Sequence, residues 1–119
     1  MKGKPRLDYT RFTCPVQNAV TLIGDKWTLF LLREFFYTGN TQRFNKLLLS
    51  LKPISSRTLS LKLKKMEQSG IVKREIIMER PIKIKYSLTK KGKGLEKALK
   101  EMANWFRAFE SLSKEKYTH

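Results

Sequence analysis

The chain has 119 residues, 26 of them Lys or Arg and 10 Asp or Glu, for a formal net charge of +16. That length sets a single domain as the expectation, and a hydrophobic content of 40% is enough for a packed core, which excludes wholesale disorder. The longest apolar run, from Leu29 to Leu32, is far too short to cross a bilayer, and Met1 to Phe12 is polar and basic, without the apolar stretch of a signal peptide.

In chain order, residues 1–12 read as a flexible basic arm, 13–110 as the folded domain and 111–119 as a polar tail. A short helix is predicted from Pro15 to Ile23. Proline suits its first position, and Val16, Ala19, Val20 and Ile23 recur at helical spacing. Gly24-Asp25 ends that helix and turns the chain. Lys26 to Tyr37 is predicted as a buried central helix. Trp27, Phe30, Leu31 and Phe35 form its main face, with Leu29, Leu32 and Phe36 on the flanks. Phe44, Leu47, Leu48 and Leu51 predict a third, short helix, closed by Pro53. A fourth begins at Ser55, a good N-cap, with Ile54 placed to staple onto Leu59. Its apolar stripe is Leu59, Leu63 and Met66, and Leu61 lies off it. Ile71 to Met78 and Lys83 to Leu88 read as a hairpin turning at Glu79-Arg80-Pro81. Thr89 then caps one last helix running to about Phe109.

The charge is concentrated. Residues 52–93 hold thirteen basic and three acidic side chains, so ten of the sixteen net charges fall there. A phosphate-tracking surface needs such a patch, because neutralised phosphates release condensed counterions. The order of elements supplies a geometry for it. The third and fourth helices form a helix-turn-helix, and the hairpin forms a wing. The fold class is therefore mainly α with a small β-hairpin, a winged helix-turn-helix. In that geometry Ser55, Ser56, Arg57 and Thr58 open the recognition helix at base edges, with Ser60 and Lys62 one turn further in. Arg57 is the candidate base reader, since its planar fork can grip a guanine edge. Lys64 and Lys65 are candidate phosphate contacts. Arg80, Lys83 and Lys85 on the wing can reach sugar-phosphate or the minor groove. The plainer alternative is that Arg57 and the wing lysines are merely solvated, or protect a sheet edge.

Several runs together resemble the HxlR-type transcriptional regulators. They are Cys14-Pro15-Val16, Leu22 to Trp27, Arg43 to Leu47, Ile54 to Leu59, Leu63, Gly70-Ile71-Val72, and Tyr86 to Thr89 with Gly92. The resemblance covers about residues 14–106. It implies a winged helix-turn-helix homodimer that binds operator DNA in the cytoplasm, with the dimer contact on the N- and C-terminal helices. Asp25, Ile82 and Lys85 stand where the family often has a second glycine, a second proline and an acidic residue. The last two differences make this wing more apolar and more basic than usual.

The stripe Leu99, Met102, Trp105, Phe106 and Phe109 is the candidate dimer interface, because a chain this small struggles to cover so many aromatic rings. The alternative is that it closes the monomer core. Cys14 excludes an internal disulfide, fits a reducing compartment and is the candidate sensor. A helix N-terminus and a cationic neighbour such as Arg11 favour the reactive thiolate. The resemblance implies an electrophile or an oxidant as effector, although Cys14 can equally be a buried residue without a signalling role. No catalytic set, cofactor motif or metal-ligand set is evident: one Cys and the terminal His119 cannot make one. The expected partners are double-stranded DNA and a second copy, with no membrane. The competing reading is an architectural, chromatin-like DNA coater with little sequence preference. An RNA-binding winged helix is disfavoured because most aromatics fall on buried stripes.

Overall fold

The computed structural model describes residues 14–110. The arm 1–12 and the tail 111–119 expected from the sequence lie outside the described residues.

Helix α1, Pro15–Ile23, starts as expected with Pro15 in its first turn and Cys14 as N-cap. It ends where the Gly24 amide donates to the Val20 carbonyl at 2.7 Å. A Cβ at Gly24 would collide with that carbonyl, so only glycine fits the close approach. Helix α2, Lys26–Thr38, is capped by Asp25. Its carboxylate accepts from the Thr28 amide at 2.9 Å and the Thr28 hydroxyl at 2.7 Å. This satisfies Thr28 and lets it be fully buried beside Leu31, Leu32 and Phe35. The buried face of α2 is thus rotated from the expected one, and Trp27 and Phe30 are only half-buried.

Gly39, at φ 136°, redirects the chain into a three-residue strand that the sequence reading did not anticipate, β1, Thr41–Arg43. Helix α3, Phe44–Ser50, and helix α4, Ser56–Gln68, follow in the expected places. Gly70, at φ 76°, turns the chain from α4 towards the hairpin of β2, Val72–Glu79, and β3, Ile82–Leu88. The antiparallel sheet has the order β1-β3-β2, with Gln42 opposite Tyr86 and Val72 opposite Leu88. A bulge between Ile76 and Met78 shifts the register near the hairpin tip.

The single last helix expected from the sequence is two helices, α5, Lys90–Lys93, and α6, Glu96–Glu110. Thr89 caps only α5, accepting from the Gly92 amide at 3.1 Å. Gly92 is buried against the Ile71 carbonyl, where a Cβ would clash. The chain breaks at Gly94-Leu95 before α6 begins. The core lies between α2, α4 and the base of the sheet, with Leu31, Phe35, Leu59, Leu63, Ile71 and Val72 nearly inaccessible to solvent. Ile54 and Leu59 are both in that core, as the expected staple requires. No helix among the described residues is long and apolar enough to cross a membrane.

Candidate nucleic-acid interface

Helix α4 is fixed at its start by Ser55. The hydroxyl accepts from the Thr58 amide at 3.0 Å and lies 3.0 Å from the Thr58 hydroxyl. Leu59, Leu63 and Met66 anchor it to the core. At 100° per residue, Arg57, Leu61, Lys64, Lys65 and Gln68 fall on the opposite side, and all are exposed. Ser56 is exposed at the N-terminal end and Ser60 at the flank facing the sheet. Arg57, Lys64 and Lys65 make no ion pair among the described residues, so one helix face presents three uncommitted cations.

Lys62 departs from the expected placement. It sits on the flank towards α2, and its Nζ lies 3.3 Å from Asp25 Oδ1, with only 27% of the side chain exposed. The pairing ties the recognition helix to the N-terminus of α2 and leaves Lys62 off the Arg57 face. Burial pushes the Asp25 carboxyl up. The hydrogen bonds from the Thr28 amide and hydroxyl, and then Lys62, outweigh it together and hold the group below its ordinary value of 3.8. The sequence signal for this site was present in part: an aspartate just before a helix is an N-cap pattern. Its link to Lys62 was not visible.

On the wing, Arg80 lies in the turn and is exposed. Lys83 and Lys85 share the outer face of the sheet, and Lys85 lies opposite Arg43 on β1 and Glu75 on β2. Lys85 is partly neutralised, with its Nζ 3.7 Å from a Glu75 oxygen. Glu75 also meets Lys73 at 4.0 Å. Between α4 and the sheet runs a cleft of about 540 Å³, with Ser60, Lys64 and Glu67 on one wall and Arg74, Ile84 and Tyr86 on the other. Lys64 of the helix and Arg74 of the hairpin therefore border one cleft, whereas Lys83 and Lys85 lie on the other face of the sheet.

The candidate dimer stripe divides in two. Leu99 is half-buried and packs back on the core. Met102, Trp105, Phe106 and Phe109 point outward, with Phe109 71% exposed and the Trp105 and Phe109 rings 6.1 Å apart. Cys14 is half-buried at the N-cap of α1, and its carbonyl accepts from the Asn18 amide at 3.0 Å.

Comparison with known proteins agrees with this geometry. The chain is 39% identical over 93 residues to the HTH-type transcriptional regulator YvaP of Bacillus subtilis, covering 77% of this chain and 84% of that protein. Among solved structures it is similar to the redox regulator HypR in its reduced form, with a TM-score of 0.75 and 32% identity over 86% of this chain and 99% of that one. It is also similar to a MarR-family transcriptional regulator from Enterococcus faecalis V583, with a TM-score of 0.74 and 31% identity over 94% and 97%. Two of the three are transcriptional regulators by name, and the third is a redox regulator. The model for the HxlR-like helix-turn-helix matches residues 22–114, and the chain belongs to that family.

Proposed function

We propose that the chain is a dimeric, sequence-specific regulator that reads a roughly palindromic operator in the cytoplasm and responds to oxidants or electrophiles through Cys14. The observation that carries the reading is the outward face of α4, where Arg57 and Ser56 lead and Lys64 and Lys65 follow, next to a basic hairpin. In a helix-turn-helix the start of the second helix lies at base edges in the major groove. Arg57 donates to guanine O6 and N7 there. Ser55, Ser56, Thr58 and Ser60 hold the helix start against base or phosphate. Lys64, Lys65, Arg80, Lys83 and Lys85 follow the backbone and fix the register. Lys62 acts from behind, by holding α4 on Asp25.

The second copy covers the outward face of α6. Met102, Trp105, Phe106 and Phe109 together offer an apolar surface that a two-fold mate of the same shape can bury. A two-fold axis sets the recognition helices about 34 Å apart, hence half-site centres about 10 bp apart or a multiple of that. Cys14 stands at the start of the first helix. The similarity to HypR, a redox regulator, supports a thiol role. Two Cys14 thiols would give up two electrons and two protons to an oxidant and join as a disulfide. Alternatively, one thiolate sulfur would add to an electrophilic carbon. Either product changes the packing at α1 and with it the spacing of the two α4 helices.

The test is selection of the purified reduced protein on fragmented genomic DNA at near-physiological salt, followed by sequencing. A few fragments sharing an inverted repeat are expected, with retention changed by treatment with diamide. Uniform recovery with a steep salt slope would instead favour the architectural reading. An unchanged response in a Cys14→Ser variant would remove the sensor role.

A further inference from the structure

Leu61 is the one position on α4 that neither the core nor the charge pattern accounts for. It is 56% exposed, while Leu59, Leu63 and Met66 complete the buried stripe without it. A single exposed leucine is ordinary on a protein surface, so exposure alone says little. Its company says more. Arg57 lies one turn before it, and Lys64 and Lys65 lie three and four residues after it on the same outward side. It is the apolar centre of a cationic face.

When such a face enters a major groove, its cations reach phosphates and guanine edges, and its centre meets the groove floor. The thymine 5-methyl is the apolar group the bases present there. Cytosine would instead place its N4 amine against Leu61 and lose a hydrogen-bond partner. Leu61 lies about 6 Å along the helix axis from Arg57, and base pairs stack about 3.4 Å apart, so the two contacts fall one or two base pairs from each other.

We propose that Leu61 is a specificity-determining residue that packs on the 5-methyl of a thymine one or two base pairs from the guanine held by Arg57. The inference rests on the DNA-reading role of α4 and adds a requirement that the role alone does not make. Neither the fold nor the phosphate contacts need a leucine at this position.

The experiment is parallel selection of the full chain from two random-sequence duplex pools, one built with thymine and one with deoxyuridine in its place. Both pools should yield the same inverted repeat around the guanine. One A·T position near that guanine should be enriched only in the thymine pool. On a single duplex, replacing that thymine by deoxyuridine should weaken binding about fourfold, the value of burying one methyl-sized group. Leu61→Ala should bind both duplexes equally, with an unchanged thermal midpoint and an unchanged salt slope. A repeat with no thymine-specific position, or equal methyl sensitivity in Leu61→Ala, overturns the inference and leaves the regulator reading standing. Recovery of no repeat from either pool overturns both.

Discussion

Arg57 and Asp25 show how differently two charged residues serve the same helix. Arg57 is exposed and uncommitted, and its planar fork suits a guanine edge. Arg57→Ala should cost about 1–3 kcal/mol on the preferred site and relax specificity at one base pair, as measured by competition against single-base variants. Lys64→Ala should weaken binding to all sequences alike and lower the salt slope by about one. Asp25 caps α2 and holds Lys62 on α4. Asp25→Ala should lower stability by about 1–2 kcal/mol in denaturant melts, the usual cost of a lost cap. Its carboxyl is held below the ordinary 3.8 in the folded state. The charged form therefore adds stability at pH values above 3.8, and that contribution fades as pH falls through the folded-state value. Asp25→Asn keeps a capping oxygen but loses the charge. Its deficit against the parent should be constant near neutral pH and close only in acid. The Ser55 cap was legible because a helix start is a local pattern. The Asp25–Lys62 pair was not, because it joins residues far apart in the chain.

Between residues and the whole fold, the elements separate what periodicity reveals from what close packing decides. Helices α3 and α4 and the hairpin follow from apolar spacing and turn residues, and each lies where the sequence placed it. Strand β1 has three residues, too few to show an alternation, and exists because β3 offers it a partner. The face of α2 was misjudged because threonine reads as polar. Thr28 is buried once Asp25 satisfies its hydroxyl. The break between α5 and α6 had a signal in Gly92 and Gly94, but the need for glycine comes from the Ile71 carbonyl across the fold. Gly92→Ala should cost about 1–3 kcal/mol in thermal or denaturant unfolding, because neither backbone can yield freely. Gly70→Ala meets only the Lys91 side chain, at ordinary van der Waals distance, but has a left-handed φ, so its cost should be smaller, about 1 kcal/mol. Ranking the two variants by stability checks that assignment.

For the molecule as a whole, the two prominent surfaces are the cationic face of α4 with the hairpin and the apolar outer face of α6. In the proposed function the first is the face turned to DNA and the second the face turned to another copy. Trp105→Glu combined with Phe109→Glu should leave a folded monomer in sedimentation velocity, with little change in the circular dichroism spectrum. The same double variant should lose most of its operator affinity, because each half-site is then bound alone. The family and the winged architecture are legible in the sequence, since motif order and spacing agree along most of the chain. The proposed pairing of copies rests on the outer face of α6, which the core of a single chain leaves exposed. Hydroxyl-radical footprinting of the reduced protein on a selected fragment is the most direct measurement of a symmetric, sequence-specific reader. Two equivalent protected patches related by a dyad, with centres about 10 bp apart or a multiple of that, are expected. Even protection along the fragment, or a single patch without symmetry, would contradict the account.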